Sequence, residues 1–148
     1  MSLTRRRVLT GVIGTFACVL APGLKRTRAA DEAESFIEEW TGRKATPSDR
    51  VHLAMPAEFS TGYTVPVGIS VESPMTDNDH VKSVRVFAPK NPLVEVVQFH
   101  FAPGRSLPRV STRIRLAAPQ HIVALAEMSD GSLLMAKTWV AVATNGCE

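Results

Sequence analysis

Apolar and polar residues alternate along the second half of the chain. Val65, Val67, Ile69 and Val71 are separated by smaller or polar residues, as in a strand with one buried face. Similar runs follow at a spacing of roughly ten residues, with Pro, Gly or Asp between them, at residues 82–88, 95–101, 109–117, 121–127 and 133–143. The pattern predicts an all-β fold, an immunoglobulin-like antiparallel β-sandwich over residues 63–142.

The run at 109–117 illustrates the expected division between the two faces. Val110, Thr112, Ile114 and Leu116 are predicted to face inward. The residues between them, Ser111, Arg113 and Arg115, are predicted to face solvent.

One segment before the strands has helical periodicity. Ala33, Phe36, Ile37 and Trp40 recur at the spacing of one helix face, and Gly42 follows them, so a short amphipathic helix is expected over residues 31–42. Residues 44–62 are mixed in character and support at most one short strand, so we predict a loop there. Together, residues 31–62 are expected to form an N-terminal helix and loop that pack on the sandwich.

The first thirty residues have the organisation of an export signal. Basic residues 5–7 precede an apolar stretch at 8–22, and a second basic group follows. The apolar stretch is shorter than the roughly 20 residues that a spanning helix needs, so no permanent membrane anchor is expected. Arg5 and Arg6 resemble the twin-arginine signal, which predicts a periplasmic protein with cleavage after Ala29 or Ala30.

Charge is distributed unevenly along the chain. The net charge is +3, but all fourteen acidic residues lie from Asp31 onward. Beyond residue 30, eleven basic and fourteen acidic residues remain, a net charge of −3. Because binding to phosphate backbones needs clustered Lys and Arg, a nucleic-acid partner is disfavoured.

The two cysteines have different settings. Cys18 lies inside the apolar part of the predicted signal, and its removal leaves Cys147 without an intramolecular partner. Residues 143–148 are mostly small and predict a flexible C-terminal arm in which Asn145, Gly146 and Glu148 surround the cysteine. Extended residues after Val142 would carry the thiol roughly 15 Å from the sheet. An incidental cysteine and an interchain disulfide are the alternatives.

Several segments resemble the SoxY family, the sulfur-carrier subunit of the periplasmic thiosulfate-oxidising Sox system. They read SPMTDNDHVKSVRVFAPKNP, VVQFHF, VSTRIRLA and VALAEMSDGSLLMAKTWVAV, in that order along the chain. The resemblance implies a heterodimer with SoxZ and a substrate held covalently on Cys147. It also implies a carrier that is not itself an enzyme and has no cofactor, loaded with thiosulfate by the haem protein SoxAX and relieved of sulfate by SoxB.

The end of the chain departs from the family pattern. The family arm reads Gly-Gly-Cys-Gly-Gly, whereas this chain has Asn145, Gly146, Cys147 and Glu148. Negative charge beside the thiol disfavours both the thiolate and an approaching thiosulfate dianion, by about 1 kcal/mol per charge at 4 Å in water. Slower loading, or a more basic docking site, is the expected consequence.

Three other functions are compatible with parts of the sequence. His and Met side chains suggest copper binding, although they are not closely spaced in the sequence. Ser129-Asp130-Gly131-Ser132 suggests a hydrolase, although this sequence is more typical of a hairpin turn. A pure interaction module would dock through exposed strand edges or the Arg113 and Arg115 face and leave Cys147 idle. The residues of the copper hypothesis are His52, His80, His100, His121, Met55, Met75, Met128 and Met135.

Overall fold

The computed structural model describes residues 28–146, which form one helix and nine strands. The predicted export signal therefore lies outside the described residues, apart from 28–30 at the start of the helix. The elements are α1 (Arg28–Thr41), β1 (Thr46–Pro47), β2 (Val51–Ala54), β3 (Glu58–Phe59), β4 (Val65–Val71), β5 (Val81–Phe87), β6 (Glu95–His100), β7 (Arg109–Ile114), β8 (Gln120–Met128) and β9 (Leu133–Val142).

The strands form two sheets that pack face to face. The larger sheet has the order β1-β9-β8-β5-β6, with β3 also paired to β9, and the smaller sheet has the order β2-β4-β7. All pairs are antiparallel except β1 and β3, which run parallel to β9. The sandwich and all six strands predicted from the alternating pattern are confirmed.

The alternation of side chains matches the two faces of the smaller sheet. In β4, Val65, Val67, Ile69 and Val71 are buried between intermediate residues. The next strand of this sheet, β7, alternates in the same way, and its continuation buries Leu116 completely. The inward positions predicted for this run are therefore confirmed.

Helix α1 packs on the outer face of the larger sheet. Ile37 is completely buried against a second apolar cluster that includes Phe87, Val123 and Leu125. Burial of one such side chain contributes about 1.5–3 kcal/mol. The helix starts three residues before the predicted boundary and ends where Gly42 adopts a φ of 68°. Within the described residues, no helix has the length and apolar character needed to cross a membrane.

The prediction of a loop over residues 44–62 was wrong. This segment contributes three short strands, β1, β2 and β3, to the two sheets. The two-residue strands β1 and β3 are too short to show any periodicity, and both residues of β1 are exposed. They are strands because β9 offers them an unpaired edge, which is a tertiary effect.

A buried polar network fixes the connection between β7 and β8. Asn91 is almost fully buried, and its side chain bonds the backbone on both sides of Leu116. Its Nδ2 donates to the Arg115 carbonyl (2.8 Å), and its Oδ1 accepts from the Ala117 amide (2.8 Å). Buried Gln120 donates to the same Oδ1 (3.0 Å) and accepts from the Lys90 amide (2.7 Å). Buried groups satisfied in this way hold the backbone at Leu116 in one position.

Replacement of Asn91 with Ala is expected to lower the free energy of unfolding by about 2 kcal/mol or more, because buried partners lose their hydrogen bonds. Urea denaturation of the two proteins measures the difference. Asn78→Ala serves as the control, since Asn78 is exposed. Equal losses in the two variants would show that the network does not stabilise the fold.

Candidate functional site

The site predicted from the sequence is only partly described. Cys147 and Glu148 lie outside the described residues, whereas Asn145 and Gly146 lie within them. The described part of the site is therefore the segment at residues 143–146, which connects β9 to the cysteine.

This segment directly follows strand β9 and runs beside the short strand β3. The end of β9 pairs with β3, so that Val142 lies opposite Phe59. Beyond the strand, the Ala143 amide donates to the Phe59 carbonyl at 3.1 Å. The Thr144 hydroxyl donates to the Ser60 carbonyl at 3.4 Å. The chain after β9 thus continues alongside the segment that follows β3.

Three backbone segments meet where this path ends, at Gly62, Leu116 and Gly146, which we call the glycine crossing. The Gly62 amide donates to the Thr144 carbonyl at 2.7 Å. The Gly146 amide donates to the Leu116 carbonyl at 2.8 Å, and the Leu116 amide donates to the Gly62 carbonyl at 2.8 Å. Hydrogen bonds between main chains therefore link the segment before Cys147 to the segments that follow β3 and β7.

The crossing has no room for a side chain at either glycine. A Cβ on Gly62 would overlap the Leu116 carbonyl oxygen and lie 2.6 Å from the Gly146 nitrogen. A Cβ on Gly146 would overlap the Gly62 carbonyl and lie 2.8 Å from the Tyr63 nitrogen. Neither glycine is among those with positive φ, so close approach of the backbones is what requires glycine here.

The sequence predicted a flexible arm that includes Asn145 and Gly146, and this stays a prediction. Gly146 is buried and hydrogen-bonded, whereas Thr144 and Asn145 are exposed. Sequence reasoning had treated glycine before the cysteine as a source of freedom. It missed Gly62 entirely, because nothing near Gly62 in the sequence signals that another backbone packs against it.

Positive charge lies on the chain next to the crossing. Arg115 directly precedes Leu116 and is exposed. Arg113, also exposed, donates from Nη1 to the Thr64 carbonyl at 3.3 Å, close to Gly62 along the chain. The described residues beside the crossing therefore carry two exposed guanidinium groups.

Comparison with known proteins identifies the family. A family model described as sulfur oxidation protein SoxY matches residues 37–147. The chain belongs to the SoxY family. Its structure resembles that of the sulfur carrier protein SoxY from Chlorobium limicola f thiosulfatophilum, with a TM-score of 0.60 and 25% sequence identity over 76% of this chain and 97% of that one. The resemblance to SoxY found in the sequence is thereby confirmed.

More distant structures share only the fold with this SoxY-family chain. A superoxide reductase (neelaredoxin) from Ignicoccus hospitalis has a TM-score of 0.58 at 17% identity, over 66% of this chain and 94% of that one. A protein from Thermotoga maritima described as a putative superoxide reductase has a TM-score of 0.58 at 21% identity, over 66% and 93%. No curated protein sequence matches the chain.

The residues of the copper hypothesis are spread over the SoxY-family fold. His52 bonds Glu72 (2.8 Å), His80 bonds the Thr76 carbonyl (3.0 Å), and His121 stacks edge-on against Trp139 with ring centroids 5.0 Å apart. Among the described residues, no three or more His, Cys, Asp or Glu side chains are grouped so that they could hold a metal ion. Three of the methionines are buried in the apolar clusters: Met75, Met128 and Met135.

Ser129-Asp130-Gly131-Ser132 is a hairpin turn between β8 and β9, as its sequence suggested. Asp130 Oδ1 accepts from the Ser132 hydroxyl (2.7 Å) and from the Ser132 amide (2.8 Å), and Gly131 has a φ of 86°. The hydrogen bond from the Ser132 side chain, followed by that from its backbone, lowers the pKa of Asp130 below the ordinary range. The side chains of this motif therefore stabilise the turn.

Ser132→Ala is expected to raise the pKa of Asp130 towards its ordinary value, because the largest stabilising hydrogen bond to the carboxylate is lost. Since the pKa is lowered in the folded state, the turn stabilises the protein above the unfolded-state pKa and loses this effect as pH falls through the folded-state pKa. Carboxyl chemical shifts followed by NMR titration measure the change. The control is Ser129→Ala, because the Ser129 hydroxyl donates to the Asn78 carbonyl and not to Asp130. This variant should leave the pKa of Asp130 unaltered. An equal change of the Asp130 pKa in both variants would contradict the role given to the Ser132 hydroxyl.

Proposed function

We propose that this chain is a sulfur carrier that holds thiosulfate-derived sulfur covalently on Cys147. The observation that carries the proposal is the extent of the SoxY family match, which reaches Cys147 as its last residue. Further support comes from the other cysteine, Cys18, which lies in the predicted export signal and would be removed with it.

The chemistry requires a thiolate and an electron acceptor. The Cys147 thiolate and thiosulfate are joined by a new S–S bond, and two electrons pass to a haem protein of the SoxAX type. Water then attacks the terminal sulfonate under a SoxB-type hydrolase, which releases sulfate and two protons and leaves a persulfide on the cysteine. The carrier supplies the nucleophile and its presentation, and the visiting enzymes supply the catalysis.

The proposed setting is the periplasm, reached through the twin-arginine pathway. The carrier would work as a heterodimer with a SoxZ-like subunit and dock transiently with its client enzymes. A folded sandwich with a buried apolar core is compatible with export in the folded state. An unpaired thiol in an oxidising compartment is usually one that is used chemically.

The charges near the glycine crossing affect how readily a negatively charged substrate can approach. Thiosulfate is a dianion, and Glu148 adds negative charge after the cysteine. Arg113 is exposed on β7 and Arg115 is exposed directly after it, so both precede the crossing and would attract the anion. We therefore propose that these arginines compensate for the acidic end of the chain during loading.

Intact-mass spectrometry of the protein from thiosulfate-grown cells is expected to show sulfur-containing adducts in the wild type and none in Cys147→Ser, because serine cannot form the S–S bond. Treatment with a thiol reductant should remove the adducts. Cys147 found without adduct in those cells, or found only in a permanent interchain disulfide, would contradict the carrier function.

Replacement of both Arg113 and Arg115 with Gln is expected to slow thiosulfate loading about threefold to tenfold at low salt, with a smaller effect at high salt. The rate of adduct formation in a reconstituted loading reaction measures this. Arg109→Gln is the control, because Arg109 is exposed at the other end of β7, about 13 Å along the chain from Arg113 and about 20 Å from Arg115. A rate in the double variant equal to that of Arg109→Gln would show that local positive charge plays no part.

A further inference from the structure

A cavity of about 410 Å³ lies between α1 and the outer face of the larger sheet. Ala33 and Val123 line it and are buried, whereas Lys90 and Trp139 line it and are exposed, so the cavity opens to solvent beside the latter two. Phe36, which is partly buried, is a second aromatic side chain in its lining. An apolar and aromatic lining with a few polar groups is typical of small-molecule sites.

Trp139 presents a fixed apolar surface at this opening. Its side chain is 46% exposed. His121 packs edge-on against its ring, with the ring centroids 5.0 Å apart, and Lys90 Nζ lies 5.9 Å from the ring centroid. Because these two neighbours hold the indole in position, a ligand that packs against it need not order the side chain first.

Two ammonium groups give this region positive charge. Lys90 Nζ is exposed and donates to the Pro119 carbonyl at 2.8 Å, which uses one of its three protons. Lys137 pairs with Val123 across β8 and β9, so it lies on the face of the sheet that lines the cavity. Its Nζ is buried and, within the described residues, has no hydrogen-bond partner. Because burial of an ammonium group is costly without a partner, this position favours an anion nearby.

The acidic part of the lining is small by comparison. Among the described residues that line the cavity, only Glu32 is acidic, and its side chain is exposed to solvent. Water and salt screen an exposed carboxylate. The charges around the cavity therefore favour a negatively charged ligand over a neutral or positively charged one.

From these observations we propose that the cavity, which we call the aromatic cavity, binds a small aromatic anion with a carboxylate or sulfonate group. The ring of the ligand packs against Trp139 and Phe36, and its anionic group accepts hydrogen bonds from Lys90. The volume lies near the lower end of the range of about 300–1,000 Å³ that is usual for ligand sites, which favours a small compound. This binding site is separate from the carrier function proposed above, because it does not involve Cys147.

Titration of the wild-type protein with naphthalene sulfonate tests the site without any substitution. The indole N–H signal of Trp139 in NMR spectra should shift and saturate, whereas that of Trp40, which does not line the cavity, should shift less. Neutral naphthalene methanol should bind about threefold to tenfold more weakly, because it cannot pair with an ammonium group. The absence of a saturable shift at Trp139, or equal affinity for the two compounds, would overturn the proposal.

Trp139→Ala tests the aromatic contact. We expect its affinity for naphthalene sulfonate to fall about tenfold or more, because the ligand loses an aromatic surface. Trp40→Ala is the matched control, since Trp40 is 50% exposed and packs on Phe36 and Phe87 outside the cavity. This control should keep an affinity close to that of the wild type. Equal losses in the two variants would show that the compound binds exposed aromatic surface in general, which would overturn the site.

Lys90→Gln tests the charge of the ligand. Its affinity for naphthalene sulfonate should fall about threefold to tenfold, while its affinity for naphthalene methanol should stay unchanged. Lys44→Gln is the control, because Lys44 is exposed and does not line the cavity; it should keep the wild-type preference for the sulfonate. If Lys90→Gln keeps that preference as well, the pairing of Lys90 with an anionic group is wrong.

Discussion

Burial of strand β8 on both faces is the constraint on which the architecture depends. Ile122 and Ala124 belong to the main core between the sheets, whereas Val123 and Leu125 belong to the cluster under the helix. A strand that is apolar on both sides must be covered on both sides. The smaller sheet provides one cover, and α1, through Ile37, provides the other. The helix is therefore an integral layer of the domain.

The neighbouring strand, β9, connects this central layer to the candidate site. It pairs with β8 along nearly its whole length, and its other edge pairs with β1 near its start and β3 at its end. Because both edges are occupied, the direction in which the chain leaves the sheet is fixed. The chain then meets Gly62 and Leu116, where main-chain bonds and the lack of room for a Cβ determine its path.

The sequence alone determined the elements whose side chains repeat with a regular period. The six long strands, the amphipathic helix around Ile37 and the turn at Asp130 were all predicted correctly, because each depends on residues close together in the chain. The family was also identifiable from its ordered segments. Cys147 stood out because it is the cysteine that lies beyond the predicted export signal.

Only the tertiary structure decided the pairing of residues 44–62 and the position of Gly146. Strands β1 and β3 are two residues long and have no pattern of their own; they pair because β9 has a free edge beside them. The crossing of Gly62 and Gly146 joins backbones that are far apart in sequence. A glycine that is required by close packing of another backbone has no local sequence signal that distinguishes it from a glycine in a flexible segment. Contacts of this kind depend on how the sheets pack, and no local periodicity reports them.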